Sequence, residues 1–346
     1  MPSSLSTGSK LNQISQAIPF AELSPVALVQ AYQGCCQLSW QQGQFNAVSQ
    51  AAKPELPVLL CFGAHFSWSL LTTLAQALAL PDGVVKLSLL QPVPQLSPAL
   101  RLHLPDGMVP PQALLNRLAL DYDCQLVYLR QQPSLRQPGL LVMDMDSTAI
   151  EIECIDEIAK LAGVGEQVAA ITARAMNGEL DFAQSLLARV QTLAGAPESV
   201  LSDVLKQLPL MPGLTDLVAV LQQHHWQVAI ASGGFTYFTE ALKQRLQLSA
   251  TFANQLEIVD GKLTGRVLGN IVDAKRKAEV VHELAQRYQI TPSQTVAIGD
   301  GANDLPMLAE AALGVAFHAK PKVQAAAKAA ITTGSLLQLL YLLDCP

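Results

Sequence analysis

The second half of this chain alternates short apolar runs with amphipathic helical patterns, and this alternation restricts the fold more than any other feature. Apolar runs of this length, bounded by turn residues, indicate buried strands. The predicted strands are Gly139–Met145, Trp226–Ser232, Thr295–Gly299 and Gly314–Phe317. Helical patterns such as Gly213–Gln223 and Thr236–Leu246 lie between them. Strands that alternate with helices predict an α/β fold with a parallel, doubly wound sheet.

The first predicted strand ends on two acidic residues. In the stretch GLLVMDMDST, the apolar run 140–143 is followed by Asp144 and Asp146. Carboxylates at the end of a buried strand are costly unless a cation lies against them. The sequence therefore predicts a positive partner for these two residues.

Polar residues also follow two other predicted strands. One strand leads into Ser232-Gly233-Gly234, and another leads into the stretch with Asp300, Asn303 and Asp304. Open α/β sheets bind ligands at the carboxyl ends of their strands, so these side chains should meet at one edge. Several carboxylates cannot stay ionised together without a counter-cation. Oxygen ligands of this kind suit Mg²⁺, which we predict as the cofactor.

These residue types favour phosphoryl transfer. A carboxylate such as Asp144 can act as a nucleophile and form an aspartyl-phosphate. Asp146, two residues further on, can donate a proton to the leaving oxygen and later activate water. Ser232 and the amides of Gly233 and Gly234 can donate hydrogen bonds to phosphoryl oxygens. A lysine and the metal ion would neutralise the negative charge of a phosphate monoester.

Two insertions interrupt the alternation. About 80 residues separate the first two predicted strands, far more than one crossover helix needs, and their pattern is strongly helical. We predict a helical cap inserted at about 153–211. A shorter insertion, FANQLEIVDGKLTGRV, carries a hairpin signal at Asp260-Gly261.

We predict that residues 1–137 form a separate α+β domain. Its first 55 residues or so are polar and Gln-rich, and their pattern predicts only a helix near Pro25–Tyr32. The later pattern has the order β-α-β-β-α-β, which is the ferredoxin-like arrangement. Its predicted elements are Pro57–Phe62, His65–Leu80, Val84–Leu90, Leu100–Leu104, Pro110–Asp121 and Gln125–Arg130. A Pro-rich linker at 131–139 then separates this domain from a second domain, 138–346.

Charge and composition exclude several function classes. The formal charge of −6 argues against a nucleic-acid surface, which needs a basic stripe. No apolar run approaches the roughly 18 residues that span a bilayer. The first residues show no apolar signal-peptide segment, and the six cysteines form no metal-binding pattern. We therefore expect a cytoplasmic protein with reduced thiols and a small-molecule substrate.

The combined motifs resemble a known family. DMDST, SGGF, the lysine of DAKRKAE and GDGANDLPM occur in the order found in haloacid dehalogenase-like phosphatases. The longer agreement over about 138–335, including IECIDEIAKLAG and AMNGELDF, is similar to the phosphoserine phosphatase family. This resemblance implies Mg²⁺-dependent hydrolysis of O-phospho-L-serine to L-serine and phosphate, the last step of serine biosynthesis.

The resemblance also implies roles for the residues that match the family motifs at the strand ends. Asp144 resembles the nucleophile, and Asp146 the acid/base that also offers its backbone carbonyl to Mg²⁺. Asp300 resembles the second carboxylate ligand of the metal. Ser232 and Gly233 resemble the phosphate binders, and Asn303 a phosphate or substrate contact. Lys277 resembles the family lysine, or Lys275 does if the register differs. Asp304 resembles a support for Lys277 and the metal shell.

The cap and the N-terminal domain receive roles from the same resemblance. Glu153 and Arg189 resemble the pair that binds the ammonium and carboxylate groups of the substrate, and Met176 and Phe182 the apolar walls that close over it. The N-terminal domain would be similar to ligand-sensing ACT modules, with serine as the effector. The oligomeric state is open.

Two alternatives to this function remain open. An enzyme of the same fold could act on another small phosphomonoester, such as phosphohomoserine. More remotely, the chain could be an amino-acid sensor without catalytic activity, although the complete set of acidic residues, serine and lysine weighs against this reading.

Overall fold

A computed structural model describes residues 23–32, 34–48, 57–63 and 66–345. The chain divides by its internal contacts into two compact units. The first comprises residues up to 132 together with 340–342, and the second comprises 133–339 and the residues from 343 onward.

The described part of the first unit contains one sheet and three α-helices. Its elements in chain order are α1 (Pro25–Ala31), β1 (Cys35–Gln41), β2 (Gln44–Val48), β3 (Val58–Phe62), α2 (Trp68–Ala77), β4 (Gly83–Leu90), β5 (Ala99–His103), α3 (Gln112–Asp121) and β6 (Gln125–Leu129). Helix α1 begins where the sequence predicts, because Ser24 caps it and a proline occupies its first turn. The predicted start of α2 at position 65 lies outside the described residues.

The sheet of the first unit has the strand order β2-β1-β4-β5-β3-β6, with antiparallel neighbours throughout. Strand β5 lies between β3 and β4, so the predicted ferredoxin-like β-α-β-β-α-β unit is present as a split βαβ arrangement. The hairpin of β1 and β2, which the sequence analysis did not predict, adds two strands beside β4.

The second unit is an α/β domain. Its elements are β7 (Leu140–Met143), α4 (Cys154–Leu161), α5 (Gly165–Met176), α6 (Phe182–Thr192), α7 (Ser199–Lys206), α8 (Leu214–Gln223), β8 (Gln227–Phe235), α9 (Thr236–Leu246), β9 (Ala250–Val259), β10 (Lys262–Leu268), α10 (Ala274–Arg287), β11 (Thr295–Gly299), α11 (Leu305–Glu310), β12 (Leu313–Phe317), α12 (Pro321–Ala326) and β13 (Ala329–Ile331). Short 3₁₀ helices cover Pro292–Gln294 and Ala302–Asp304. A third 3₁₀ helix, Leu336–Leu342, includes the residues 340–342 that are assigned to the first unit.

The sheet of the second unit has the order β10-β9-β8-β7-β11-β12-β13, and every neighbouring pair except β9 and β10 is parallel. Strands β7, β11 and β12 are buried along their whole length. Such continuous apolar runs are typical of a parallel sheet that is covered on both faces. The predicted doubly wound α/β fold is confirmed.

The helices α4–α7 follow β7 as an insertion before α8. The two chain segments that lead into and out of this insertion lie side by side. The amide of Glu151 donates to the carbonyl of Pro209 over 3.1 Å, and the amide of Met211 donates to Ala149 over 2.9 Å. We call α4–α7 the cap. The predicted hairpin at Asp260-Gly261 joins β9 to β10.

Candidate active site

The central strands of the second sheet bring the predicted acidic residues together. Strand β7 lies between β8 and β11, and Met143 is paired with Ile298. One residue further on, the amide of Asp144 donates to the carbonyl of Ile298 over 3.0 Å. Asp300 follows β11 directly, so the two carboxylates come from adjacent strand ends, as parallel pairing requires.

Lys277 supplies the cation that the buried strand end requires. Its Nζ lies 2.7 Å from Oδ2 of Asp144 and 2.8 Å from Oδ1 of Asp304. The lysine is 1 % exposed. Burial alone would lower its pKa, but the two carboxylates outweigh that effect and raise the pKa above its ordinary value. Lys275, the alternative lysine, has a side chain that is 84 % exposed and pairs with Glu279 instead.

The carboxylates at this strand edge outnumber the one buried lysine. Oxygen atoms of Asp144, Asp300 and Asp304 lie within 4.8 Å of one another. Burial, together with Asp144 and Asp304, raises the pKa of Asp300 to about 7. Burial and Asp144 also raise the pKa of Asp304 to about 6, against the opposing effect of Lys277. A divalent cation with a preference for oxygen ligands fits this cluster.

Asp146 lies at the junction of the sheet and the cap. Its Oδ1 accepts a hydrogen bond of 3.1 Å from the amide of Cys154, the first residue of α4. Desolvation in the cavity, followed by the charges of Glu153 and Asp144, raises the pKa of Asp146 to about 8.

Strand β8 continues past its predicted end at Ser232, and hydrogen bonds to the backbone hold its last residues in place. The amide of Gly234 donates to Oγ of Ser232 over 2.9 Å. Nδ2 of Asn254, on β9, donates to the carbonyl of Gly233 over 2.8 Å. Gly233 also lies against the cap, since a Cβ atom there would be 2.6 Å from Cζ of Phe182. Only glycine lets the backbone and this ring approach so closely.

A cavity of about 110 Å³ connects the strand ends to the cap. Its lining residues are Asp144, Asp146, Glu153, Ile155, Leu186, Arg189, Ser232, Gly233, Gly234, Phe235, Asp300 and Asn303. The cavity thus has an acidic wall from the sheet and a cap wall that contains one carboxylate and one guanidinium. Burial raises the pKa of Glu153 and lowers that of Arg189.

The structure places some of the predicted residues away from this cavity. Met176, at the end of α5, is 69 % exposed and is not part of the lining. The helical pattern of the sequence could not tell which side of α5 faces the substrate. Lys277 and Asp304 are not part of the lining either; Lys277 contacts Asp144 and pairs with Asp304.

Three polar residues at the site were missed by the sequence analysis. The hydroxyl of Thr148 donates to Oδ1 of Asp300 over 3.1 Å, and the hydroxyl of Ser147 donates to Oε1 of Glu153 over 2.8 Å. The third is Asn254. Ser147 and Thr148 directly follow Asp146, and that proximity was the available signal; no local signal marks Asn254.

Known proteins support the class of enzyme that this geometry indicates. A family model described as haloacid dehalogenase-like hydrolase matches residues 139–312. The phosphoserine phosphatase of Vibrio cholerae serotype O1 is 58 % identical over 225 residues, which are 65 % of this chain and 67 % of that protein. The chain therefore belongs to the haloacid dehalogenase-like hydrolases, and within them to the phosphoserine phosphatase family.

Solved structures agree with this assignment. The unliganded crystal structure of a probable phosphoserine phosphatase from Vibrio cholerae has a TM-score of 0.69 and 45 % identity, covering 83 % of this chain and 86 % of that one. A structure described as a phospho-aspartyl intermediate analogue of phosphoserine phosphatase has a TM-score of 0.57 and 38 % identity, covering 60 % of this chain and 100 % of that one.

The described residues include no helix long and apolar enough to cross a membrane. None of the six cysteines, all of which lie in the described part of the chain, forms a disulfide bond, and five of them are buried.

Proposed function

We propose that this protein hydrolyses O-phospho-L-serine to L-serine and phosphate in a Mg²⁺-dependent reaction. The observation that carries the proposal is a single cavity lined both by the acidic strand ends and by Glu153 and Arg189. A phosphate group fits the first wall once its charge is neutralised. An ammonium and a carboxylate fit the second, because a guanidinium binds a carboxylate through two parallel hydrogen bonds.

The proposed reaction has two steps. Asp144 attacks phosphorus, the bond to the seryl oxygen breaks, and Asp146 gives its proton to that oxygen. Water then attacks the phosphorus of the aspartyl-phosphate and passes a proton to Asp146. The bond between phosphorus and the Asp144 oxygen breaks, which releases phosphate and restores the Asp144 carboxylate. The relative whose structure is described as a phospho-aspartyl analogue supports this covalent course.

Other residues bind and orient the phosphoryl group. Ser232 and the amide of Gly233 would donate hydrogen bonds to its oxygens, with Asn303 as a further contact. Lys277, held between two carboxylates, pairs with Asp144 and would keep that side chain in position. Asp144, Asp300 and the backbone carbonyl of Asp146 would hold Mg²⁺, with Asp304 as a support. The metal ion, when bound, would offset the negative charge on the phosphoryl oxygens.

The cap would select the substrate. Glu153 would bind the ammonium group and Arg189 the carboxylate, while Phe182 lies over Gly233 and excludes water. Met176 could join this wall only if the end of α5 moved toward the cavity.

The decisive experiment measures phosphate release from O-phospho-L-serine with magnesium present and then chelated. We expect rapid release that EDTA abolishes and added magnesium restores. A panel with phosphohomoserine and other phosphomonoesters tests selectivity. Equal rates on phosphohomoserine would favour the broader phosphatase, and the absence of release from every ester would favour a sensor without catalytic activity.

We further propose that residues 1–137 form an ACT-like regulatory domain that binds serine, and that residues 138–346 form the phosphatase domain with its cap inserted at about 153–211. The same proposal includes a cytoplasmic location and a place at the last step of serine biosynthesis. Serine inhibition of the full-length enzyme provides a test. Inhibition that is purely competitive with phosphoserine would require only the active site and would contradict a separate effector site.

A further inference from the structure

The β9–β10 hairpin contains a bulge beside the cap. Strand β10 is an edge strand of the second sheet. Leu263 pairs with Ile258, but the next pair is Val267 with Leu256, so residues 264–266 face only residue 257. Gly265, in the middle of this bulge, has a φ of +82°. Bulges of this kind redirect the chain locally and are found near functional sites.

The cap continues the sheet at the outer edge of β10. The amide of Gly195 donates to the carbonyl of Leu263 over 2.8 Å, and the amide of Leu263 donates back to Ala196 over 2.9 Å. The amide of Glu198 donates to the carbonyl of Gly261 over 2.8 Å. We call residues 194–198 and 261–265 together the cap–hairpin seam. The cap is thus joined to the sheet here as well as at its two connecting segments.

Within the seam, Gly265 lies against the end of α6 with no room for a side chain. A Cβ atom at this position would be 2.9 Å from Cβ of Ala194 and 3.1 Å from the carbonyl oxygen of Gln191. Both distances are shorter than normal van der Waals contact, and one of the partners is backbone. An added methyl group would therefore push α6 and the bulge apart.

Helix α6 carries two of the cap residues that are proposed to contact the substrate. Phe182 is its first residue, and Arg189 lies two residues before Gln191. Because an α-helix of 11 residues moves as a unit, a displacement at Gln191 also moves the guanidinium of Arg189. We infer that Gly265, which does not contact the cavity, is a positioning residue that sets the location of Arg189 through the cap–hairpin seam. The inference rests on the proposed binding of the substrate carboxylate by Arg189.

The test compares two glycine substitutions. Gly265→Ala adds a methyl group at the seam. Gly269→Ala is the matched control, because Gly269 also has a positive φ of +72° but has open space around it. Both variants carry similar backbone strain, so their difference reports the contact with α6.

The readout is the ratio of kcat/KM for O-phospho-L-serine to that for O-phosphoethanolamine, which keeps the ammonium group and lacks the carboxylate. We expect Gly265→Ala to lower this ratio about tenfold through a higher KM for phosphoserine, since small misplacements of a binding group are costly. Gly269→Ala should leave the ratio within about twofold of wild type. Adding Ala194→Gly to Gly265→Ala removes the first clashing atom and should restore most of the ratio.

Other results would overturn the inference. An equal ratio in the two glycine variants, or an equal loss on both substrates, would mean that the seam does not position Arg189. If Gly265→Ala does not fold, Ala194→Val adds bulk to the same contact from the cap side, and an unchanged ratio in that variant is equally decisive. Wild-type hydrolysis of phosphoserine, measured first, tests the proposed function separately from every seam variant.

Discussion

The two walls of the cavity are built in different ways. On the sheet side, Asp144 and Asp304 hold the buried Lys277 at distances below 3 Å, and adjacent strands fix their positions. On the cap side, the guanidinium of Arg189 has only a 3.4 Å hydrogen bond to the carbonyl of Ser185 among its described hydrogen bonds. The sheet side thus has close ion pairs between buried groups, whereas the guanidinium on the cap side has one long hydrogen bond. We therefore expect changes in the sheet wall to lower kcat and changes in the cap wall to raise KM.

Asp144→Asn should have the largest effect. The substitution keeps the shape of the side chain but removes the carboxylate that we propose as the nucleophile, so we expect kcat for phosphoserine to fall about 10⁴-fold or more. Steady-state kinetics would measure this loss, with circular dichroism as the check on folding. A turnover number equal to that of wild type would exclude Asp144 as the nucleophile.

Lys277→Met should affect both activity and stability. It leaves two buried carboxylates without their counter-charge, which costs about 3–5 kcal/mol of unfolding free energy. We expect kcat to fall about 10²- to 10³-fold. Chemical denaturation and steady-state kinetics give the two values.

Lys275→Met is the matched control for this change, because Lys275 lies two residues away on the same helix with its side chain exposed. It should be close to wild type in both measurements. Equal effects of the two substitutions would show that burial between the aspartates is not what makes Lys277 matter.

Arg189→Ala tests the cap wall. Losing a charge-assisted hydrogen-bond partner should lower kcat/KM for phosphoserine about 10- to 100-fold, mostly through KM. The loss on O-phosphoethanolamine should be much smaller, because that substrate has no carboxylate. Arg174→Ala is the control on the cap surface, where Arg174 pairs with the exposed Glu179. An equal loss on both substrates would contradict the proposed role of Arg189.

The two sheets differ in how far the sequence predicted them. The apolar runs of β7, β11 and β12 are unambiguous, since parallel strands buried on both faces show little alternation. The hairpin of β9 and β10 was found from Asp260-Gly261, a strong turn signal. The hairpin of β1 and β2 was missed because its turn is Gln42-Gly43. Gln42 has a φ of +51°, a conformation that glutamine rarely adopts, so the residue type gave no turn signal.

The candidate site was also predictable only in part. Side chains at strand ends could be placed from the sequence, because sheet topology alone brings Asp144, Ser232 and Asp300 to one edge. Contacts between distant segments could not. Asn254 reaches the carbonyl of Gly233 only because β9 pairs with β8. The orientation of α5, which leaves Met176 exposed, depends on cap packing that the helical pattern does not determine.

A smaller effect should appear in the pH dependence of stability, and it concerns the acidic wall alone. The ordinary pKa of Asp300 is 3.8, and burial with its acidic neighbours raises it to about 7 in the folded, metal-free protein. Between these two values the folded state keeps a proton that the unfolded state releases. The free energy of unfolding of the metal-free protein should therefore fall as pH rises through this window.

Magnesium should change this dependence, because it competes with the proton for the same carboxylate. We expect the increase in Tm on adding magnesium to be small at about pH 5 and larger at about pH 8. Thermal unfolding with EDTA and with magnesium at both pH values measures the difference. Asp300→Asn should remove most of the pH dependence of the magnesium effect. A gain in Tm that is equal at both pH values would mean that Asp300 does not link proton binding to metal binding. The electrostatic difference between the acidic wall and the cap wall would then be unsupported.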